Sequence, residues 1–79
     1  MAKTVSKAIN LKNVDDVKSF VNASMRQDYD IDLMSGRYVV DGKSIMGIFS
    51  LDLSKELTFT AYTDDASAFL AEIDSFVAK

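Results

Sequence analysis

The chain has 79 residues, of which 48% are hydrophobic and 27% charged, and its nine basic and twelve acidic side chains give a net charge of −3. This composition is typical of one small globular domain, predicted over residues 1–79, and argues against wholesale disorder. The sequence contains no cysteine and no histidine. It therefore cannot form disulfides, thiolate metal sites or sites that use an imidazole as base, ligand or phosphate acceptor.

Several other classes of function are disfavoured by what the sequence lacks. Its cations are scattered, so no row of Lys and Arg is available to neutralise nucleic-acid phosphates. No apolar run is long enough to span a membrane, and the opening "MAKTVSKAIN" lacks the hydrophobic core of a signal peptide. An autonomous enzyme is also disfavoured, because there is no Gly-rich phosphate loop and no cluster of acid and base side chains. We therefore expect a cytoplasmic protein that binds no nucleic acid, membrane, cofactor or metal.

The first predicted elements are a strand and a helix. Residues 3–10 are predicted to form a strand that places Val5 and Ile9 on one face. Asn13 is a predicted N-cap for a helix that runs to about Gln27. Five apolar residues recur at helical spacing and are predicted to form its buried face: Val14, Val17, Phe20, Val21 and Met25.

A hairpin is predicted next, in "YDIDLMSGRYVVDG" at residues 29–42. Ile31 and Leu33 alternate with aspartates, which is typical of a half-buried strand. We predict a two-residue turn at Ser35-Gly36, because glycine tolerates the backbone conformations that tight hairpins require. The returning strand is predicted to contain Tyr38, Val39 and Val40.

The last predicted elements are a strand and a helix. "ELTFTAY" at residues 56–62 alternates cleanly, with Leu57, Phe59 and Ala61 on one face. The final helix is predicted to begin after Asp64-Asp65 and to present Ala66, Phe69, Leu70, Ile73, Phe76 and Val77 on its apolar face. With a short helix between the hairpin and the last strand, the order is βαββαβα. One sheet and several amphipathic helices predict an α+β fold with helices covering one face of the sheet.

The short helix lies in "DGKSIMGIFSLDL" at residues 41–53 and is predicted to begin after Ser44 as its N-cap. At about 100° per residue, its apolar residues occupy two faces rather than one. Ile48 and Leu51 form one face, which we predict packs on the sheet. The other face is formed by Ile45, Met46 and Phe49.

That second apolar face has two interpretations. It can be covered by the loop before the last helix, or it can be exposed and bind a partner protein. We favour a partner surface, because a small domain rarely has a long loop free to cover a helix, and an exposed patch with an adaptable methionine is typical of protein-binding surfaces.

The segment "GKSIMGIFSL" at residues 42–51 closely resembles the Ser-Ile-Met-Gly segment of HPr, the phosphocarrier of the bacterial sugar phosphotransferase system. The resemblance extends over the chain, since "YDIDL" at residues 29–33 lies where the family's second strand begins. It implies an open-faced β-sandwich, with a four-stranded antiparallel sheet and three helices on one side. Compared with the family, the turn at 35–36 and the loop near Lys55 look shortened.

The family carries a phosphohistidine at the start of helix 1, in a Gly-Ile-His-Ala-Arg-Pro segment that corresponds to residues 13–18 here. The resemblance places Asp15 at the histidine position and Val17 at the arginine position. Both the phosphate acceptor and its cationic partner are then missing, and relay of phosphate is not expected. Asp15 could itself carry an acyl phosphate, but such sites rely on Mg²⁺ and a nearby lysine. Carboxylates at a helix start are explained by the helix dipole alone.

The family's second site is a serine at the start of helix 2, which corresponds to Ser44. In many Gram-positive relatives an HPr kinase phosphorylates it with ATP, and the product docks on a catabolite-control repressor. A phosphoserine beside Lys43 and the positive end of a helix dipole is chemically reasonable. The alternative is that Ser44 serves only as an N-cap, which explains a serine there fully.

The resemblance and the residues together predict an HPr-like regulatory protein that carries no phosphohistidine. It would be a monomer that binds protein partners through Ile45, Met46 and Phe49, with Ser44 as a regulatory phosphorylation site. Candidate partners are an HPr kinase, a catabolite-control repressor or phosphotransferase-system components. The alternative is a small scaffold protein that reuses the fold and has no role in sugar transport.

Overall fold

The computed structural model describes residues 3–78 and has the predicted βαββαβα order. Residues 1, 2 and 79 of the predicted domain lie outside the described residues. The elements are β1 (Val5–Ile9), α1 (Val14–Met25), β2 (Ile31–Ser35), β3 (Tyr38–Asp41), α2 (Ile45–Phe49), β4 (Leu57–Ala61) and α3 (Ser67–Ile73), with a 3-10 turn at Asp74–Phe76. No helix within residues 3–78 is long and apolar enough to cross a membrane.

The four strands form one antiparallel sheet in the order β1-β4-β2-β3. β4 lies inside the sheet, and Leu57, Phe59 and Ala61 are all fully buried on the face that carries the helices. The alternation of β4 thus predicts its buried face correctly, because successive side chains of a strand point to opposite sides of the sheet. The α+β fold with one open sheet is confirmed.

An aromatic cluster connects the helices to the sheet. The ring of Phe69 in α3 lies edge-on to Phe20 of α1, with centroids 5.6 Å apart, and to Phe59 of β4, with centroids 5.2 Å apart. All three side chains are fully buried. Edge-to-face pairs of this kind add about 0.5–1.5 kcal/mol beyond the burial of their area. The cluster therefore fixes where α1 and α3 lie over the sheet.

The hairpin turn is one residue later than predicted. Ser35 pairs with Tyr38, so the two turn residues are Gly36 and Arg37 rather than Ser35 and Gly36. Gly36 has φ +60°, whereas no residue other than glycine has a positive φ among the described residues. A positive φ at only the first turn position matches a type II′ turn, which favours glycine there.

The buried face of α1 also differs from the prediction at both ends. Val14 and Met25 are 51% and 64% exposed, whereas Ala23 and Ser24 are buried. Ser24 lies one turn after Phe20 and therefore shares its face, and Met25 is rotated about 100° further round. The buried hydroxyl of Ser24 donates a hydrogen bond to the carbonyl of Phe20 at 2.9 Å, so a polar side chain is tolerated there.

We expect Gly42→Ala to destabilise the fold by about 1–3 kcal/mol. Gly42 is buried, and a Cβ there would lie 2.9 Å from both Cγ2 and the carbonyl oxygen of Ile31. Backbone cannot move aside as a flexible side chain can. Urea unfolding followed by circular dichroism measures the loss.

Gly47→Ala is the matched control for this prediction. The nearest atoms to its added Cβ, on Ser44 and Val40, are 3.3 Å away, and alanine favours a helix over glycine by about 1 kcal/mol. We expect little change in its midpoint. Equal stability of Gly42→Ala and the wild type would contradict the close contact with Ile31.

Candidate functional site

Two hydrogen bonds from backbone N–H groups to side chains stabilise the start of α1. Asn13 is the N-cap, as predicted, and its Oδ1 accepts a hydrogen bond from the backbone N–H of Asp16 at 2.8 Å. The carboxylate of Asp16 in turn accepts one from the N–H of Lys12 at 3.0 Å. The first bond satisfies a backbone donor that a helix start leaves free, the second ties the residue before the cap to the first turn, and a carboxylate there is favoured by the helix dipole.

The two residues matched by resemblance to the family's histidine and arginine are in very different surroundings. Asp15 is exposed in the first turn of α1. Val17 is fully buried in the core, where an arginine that holds a phosphate at the protein surface could not lie. This burial argues against a residue-by-residue match across 13–18. The residue at the start of the helix is Asn13.

The start of α2 is capped as predicted. The half-buried Ser44 has an extended backbone, and its Oγ accepts a hydrogen bond from the N–H of Gly47 at 3.2 Å. The neighbouring Lys43 already has a partner of its own. Its ammonium donates to the carbonyl of Gln27, just beyond α1, at 3.0 Å. A phosphate on Ser44 would thus have to compete with that carbonyl for Lys43.

The two predicted faces of α2 are both present. Ile48 and Leu51 are buried, with 0% and 8% exposure, and anchor the segment to the core. Met46 is 77% exposed and Phe49 is 41% exposed. The loop before α3 therefore does not cover Met46, and the interpretation of a covered face is wrong for that residue.

Ile45 differs from this expectation. It is half-buried and packs against the core cluster. The reason is geometric, since Ile45 lies only about 60° round the helix from the buried Ile48. The exposed apolar surface of α2 consists mainly of Met46 and Phe49, and we call these two residues the α2 patch.

The sequence did not predict the open cavities of the structure, two of which border the hairpin. One, of about 600 Å³, lies between the hairpin turn and the end of α2, and Arg37, Tyr38, Leu51 and Lys55 are among its lining residues. The sequence analysis missed this cavity because it predicted the turn at Ser35-Gly36. The structure has the turn one residue later, at Gly36-Arg37, and Arg37 lines the cavity. Asp52, which also lines the cavity, accepts two hydrogen bonds from Ser54, and these lower the pKa of its carboxyl.

The second cavity, of about 390 Å³, lies on the open face of the sheet and is lined by three aspartates and Tyr62. The hydroxyl of Tyr62 donates to Asp32 at 2.8 Å, and this bond raises the pKa of Tyr62. Within residues 3–78, no three acidic side chains lie close enough to hold a metal ion.

The family of the chain follows from comparison with known proteins. A family model described as the PTS HPr component phosphorylation site matches residues 13–79, which is most of the chain. The chain belongs to the HPr family. Members of this family are phosphocarriers rather than enzymes, so the expectation that the chain is not an enzyme is confirmed. The family's proteins act by contact with other phosphotransferase proteins, which supports protein partners for this chain in general terms.

Solved HPr structures have the same fold. The phosphocarrier protein HPr from Bacillus anthracis is 30% identical, with a TM-score of 0.68 over 95% of this chain and 98% of that one. HPr-C-His from Thermoanaerobacter tengcongensis is 26% identical, with a TM-score of 0.70 over 92% of this chain and 88% of that one. Among curated proteins, no match to the chain is found. The family resemblance drawn from "GKSIMGIFSL" is thereby confirmed.

We expect Ser44→Ala to cost about 1 kcal/mol of stability, because the N–H of Gly47 loses its side-chain acceptor. Thermal unfolding measures this loss. Ser19→Ala is the control, since Ser19 is exposed in the middle of α1, where alanine is a good helix former. A Ser44→Ala variant as stable as the control would mean that the cap contributes nothing.

Proposed function

We propose that this HPr family member is a regulatory, partner-binding protein of the cytoplasm that does not relay phosphate through a histidine. It would act as a single domain and bind its partners through the α2 patch, with Ser44 as a regulatory phosphorylation site. The observation that carries the proposal is the contrast between two helix starts. α2 keeps a capping serine beside exposed apolar residues, whereas the N-cap of α1 is the amide of Asn13 and its first turn carries the carboxylates of Asp15 and Asp16.

The side chains at the start of α1 support the absence of phosphate relay. The sequence contains no histidine, so a phosphoramidate of the usual kind cannot form on it. Asp15 and Asp16 would repel an incoming phosphoryl group, because like charges close together are unfavourable. The Asp16 carboxylate also occupies the N–H of Lys12, which a bound phosphate could otherwise use.

The exposure of the α2 patch supports binding of a partner. Met46 is 77% exposed on a helix of five residues, which is anchored by the buried Ile48 within it and by the buried Leu51 just after it. A flexible thioether beside a partly exposed aromatic ring can adapt to an apolar pocket in another protein. Ser44 lies at the start of the same helix, so a phosphate there would add charge next to the patch. HPr kinase, a catabolite-control repressor and phosphotransferase components are the candidate partners.

A scaffold protein without a role in sugar transport is the second candidate. The absence of a histidine at the start of α1 favours this candidate, since a protein that does not relay phosphate has no need to bind the enzymes of the phosphotransferase system. It would use the same α2 patch. Binding of phosphotransferase partners, or its absence, distinguishes the two.

We expect no phosphorylation when the protein is incubated with enzyme I and phosphoenolpyruvate, because no histidine is present to accept the phosphoryl group. Intact-protein mass spectrometry measures this, with a histidine-containing HPr as positive control. A gain in mass by the wild type would contradict the proposal. If the gain disappears in Asp15→Asn, the acceptor is that carboxylate and the product an acyl phosphate.

We expect an HPr kinase with ATP to add one phosphate to the wild type and none to Ser44→Ala. Intact mass and fragment spectra measure the addition and its position. No phosphorylation of a folded wild type, under conditions in which the kinase modifies its own HPr, would remove the regulatory part of the proposal and leave Ser44 as an N-cap.

We expect Met46→Asp to weaken binding of an HPr kinase or a catabolite-control repressor at least about tenfold, because a charge would replace the apolar anchor at the centre of the contact. Isothermal titration calorimetry measures the change. Met25→Asp is the matched control, since Met25 is 64% exposed on α1. Equal affinities of Met46→Asp and Met25→Asp would place the binding surface elsewhere. Phe49→Asp provides a second test of the patch.

A further inference from the structure

The outer edge of β3 has backbone groups that no neighbouring strand uses. A two-residue hairpin closes on a hydrogen-bonded pair, here Ser35 with Tyr38, and such pairs alternate along an antiparallel ladder. The pair of Met34 with Val39 is therefore not hydrogen-bonded, and the N–H and C=O of Val39 point away from β2. Within residues 3–78, no backbone hydrogen bond joins Val39 to any group outside the sheet.

The two edges of the sheet are protected differently. β1 is flanked by the C-terminal segment, since the N–H of Asn10 donates to the carbonyl of Phe76 at 2.8 Å and the N–H of Ala78 to the carbonyl of Ala8 at 2.9 Å. Lys7, at the middle of β1, is exposed and charged, which also discourages pairing. On β3, Tyr38 is 74% exposed and Val39 is 54% exposed. The chief feature that discourages pairing at this edge is that β3 is short, with only four residues.

The charges at the two ends of β3 complement those of a second copy, because Arg37 is the turn residue directly before the strand and Asp41 is its last residue. Arg37 lies two residues before Val39 and Asp41 two residues after it. In an antiparallel pair centred on Val39, each Arg37 would therefore face the partner's Asp41. Neither Arg37 nor Asp41 has an ion pair with another described side chain.

The acidic groups beside this edge provide a reason for such a pair. Asp41 lies directly opposite Asp32 across the hairpin, on the open face of the sheet, and like charges in that relation are destabilising. Asp30 lies nearby and lines the cavity of about 390 Å³ together with Asp32 and Asp41. A guanidinium from another copy would reduce this repulsion, because an opposite charge within a few ångströms favours the ionised carboxylates.

We propose that the β3 edge is a self-association surface on which two copies pair antiparallel about Val39, with Arg37 of each copy beside the partner's Asp41. The sequence predicted a monomer, and a strand of four residues provides few backbone hydrogen bonds. The dimer is accordingly weak, with a dissociation constant on the order of 0.1 mM or higher, and it forms where the protein is concentrated. The surface is distinct from the α2 patch.

The test begins with the wild type. Sedimentation velocity from about 10 μM to about 1 mM should show the average mass rising toward twice the monomer value. Over the same range, amide NMR shifts should change most at Tyr38 and Val39. A protein that stays monomeric throughout, or shifts centred on Met46 and Phe49, would overturn the proposal.

Two single variants test the contacts. Val39→Pro removes the outward N–H without removing a bond to β2, and proline is tolerated at a strand edge. Arg37→Asp places like charges beside each other at both ends of the pair. Each should raise the dissociation constant at least about tenfold. Lys18→Asp makes the same kind of charge reversal on the exposed surface of α1, away from the edge, and dimerisation as in the wild type is expected. Equal dimerisation of Arg37→Asp and the wild type would overturn the proposal.

A mixture provides the most specific test. Arg37→Asp and Asp41→Arg should each fail to self-associate, yet an equimolar mixture should form the heterodimer. In that heterodimer the introduced aspartate of one variant faces the introduced arginine of the other, and the two unchanged residues face each other as in the wild type.

Circular dichroism checks that both variants fold, since Asp41 also accepts the N–H of Lys43 at 2.9 Å. Folded variants that do not associate when mixed would overturn the register. Met46→Asp should dimerise normally, so failure of the proposed partner binding leaves this result unaffected.

Discussion

The contact between Phe69 and its two aromatic neighbours is the interaction on which the rest of this structure depends. It joins the last helix to α1 through Phe20 and to an inner strand of the sheet through Phe59. In a chain of 79 residues, a single core has little stability to spare. Three buried rings that meet edge to face therefore decide the position of both longer helices. Elements that do not contact these three rings must be held in place by smaller contacts.

α2 is the element held by smaller contacts, and its proposed function depends on this. The buried Ile48 and Leu51 and the half-buried Ile45 attach it to the core. Met46 and part of Phe49 remain exposed, and they form the surface on which the proposed binding of a partner depends.

Charge distinguishes the two helix starts and the two sheet edges. At α1 the carboxylate of Asp16 accepts a hydrogen bond from the N–H of Lys12, and at α2 a neutral hydroxyl caps the helix. The edge at β1 carries Lys7 and is flanked by the C-terminal segment, whereas the edge at β3 has Arg37 directly before the strand and Asp41 as its last residue. The same rule operates in each case, because unpaired like charges repel and complementary ones select a partner. Small changes of charge can thus change what the fold does without changing the fold.

The sequence by itself determined the features that depend on strong local signals. Other features were decided only by the tertiary structure. Asn13 and Ser44 are recognisable as caps because their side chains bond to backbone only a few residues away, and β4 is recognisable because alternation has a strict period of two. Ile45, in contrast, is half-buried because core residues also contact its side of α2. Met25 is exposed because Ser24 occupies the inward position, where its hydroxyl donates a hydrogen bond to the carbonyl of Phe20. The one-residue shift of the hairpin turn depends on pairing between strands, which sets the register from both sides. The open edge of β3 depends on which strand lies outermost, and the order of strands in a sheet is a property of long-range contacts that no local pattern of residues contains.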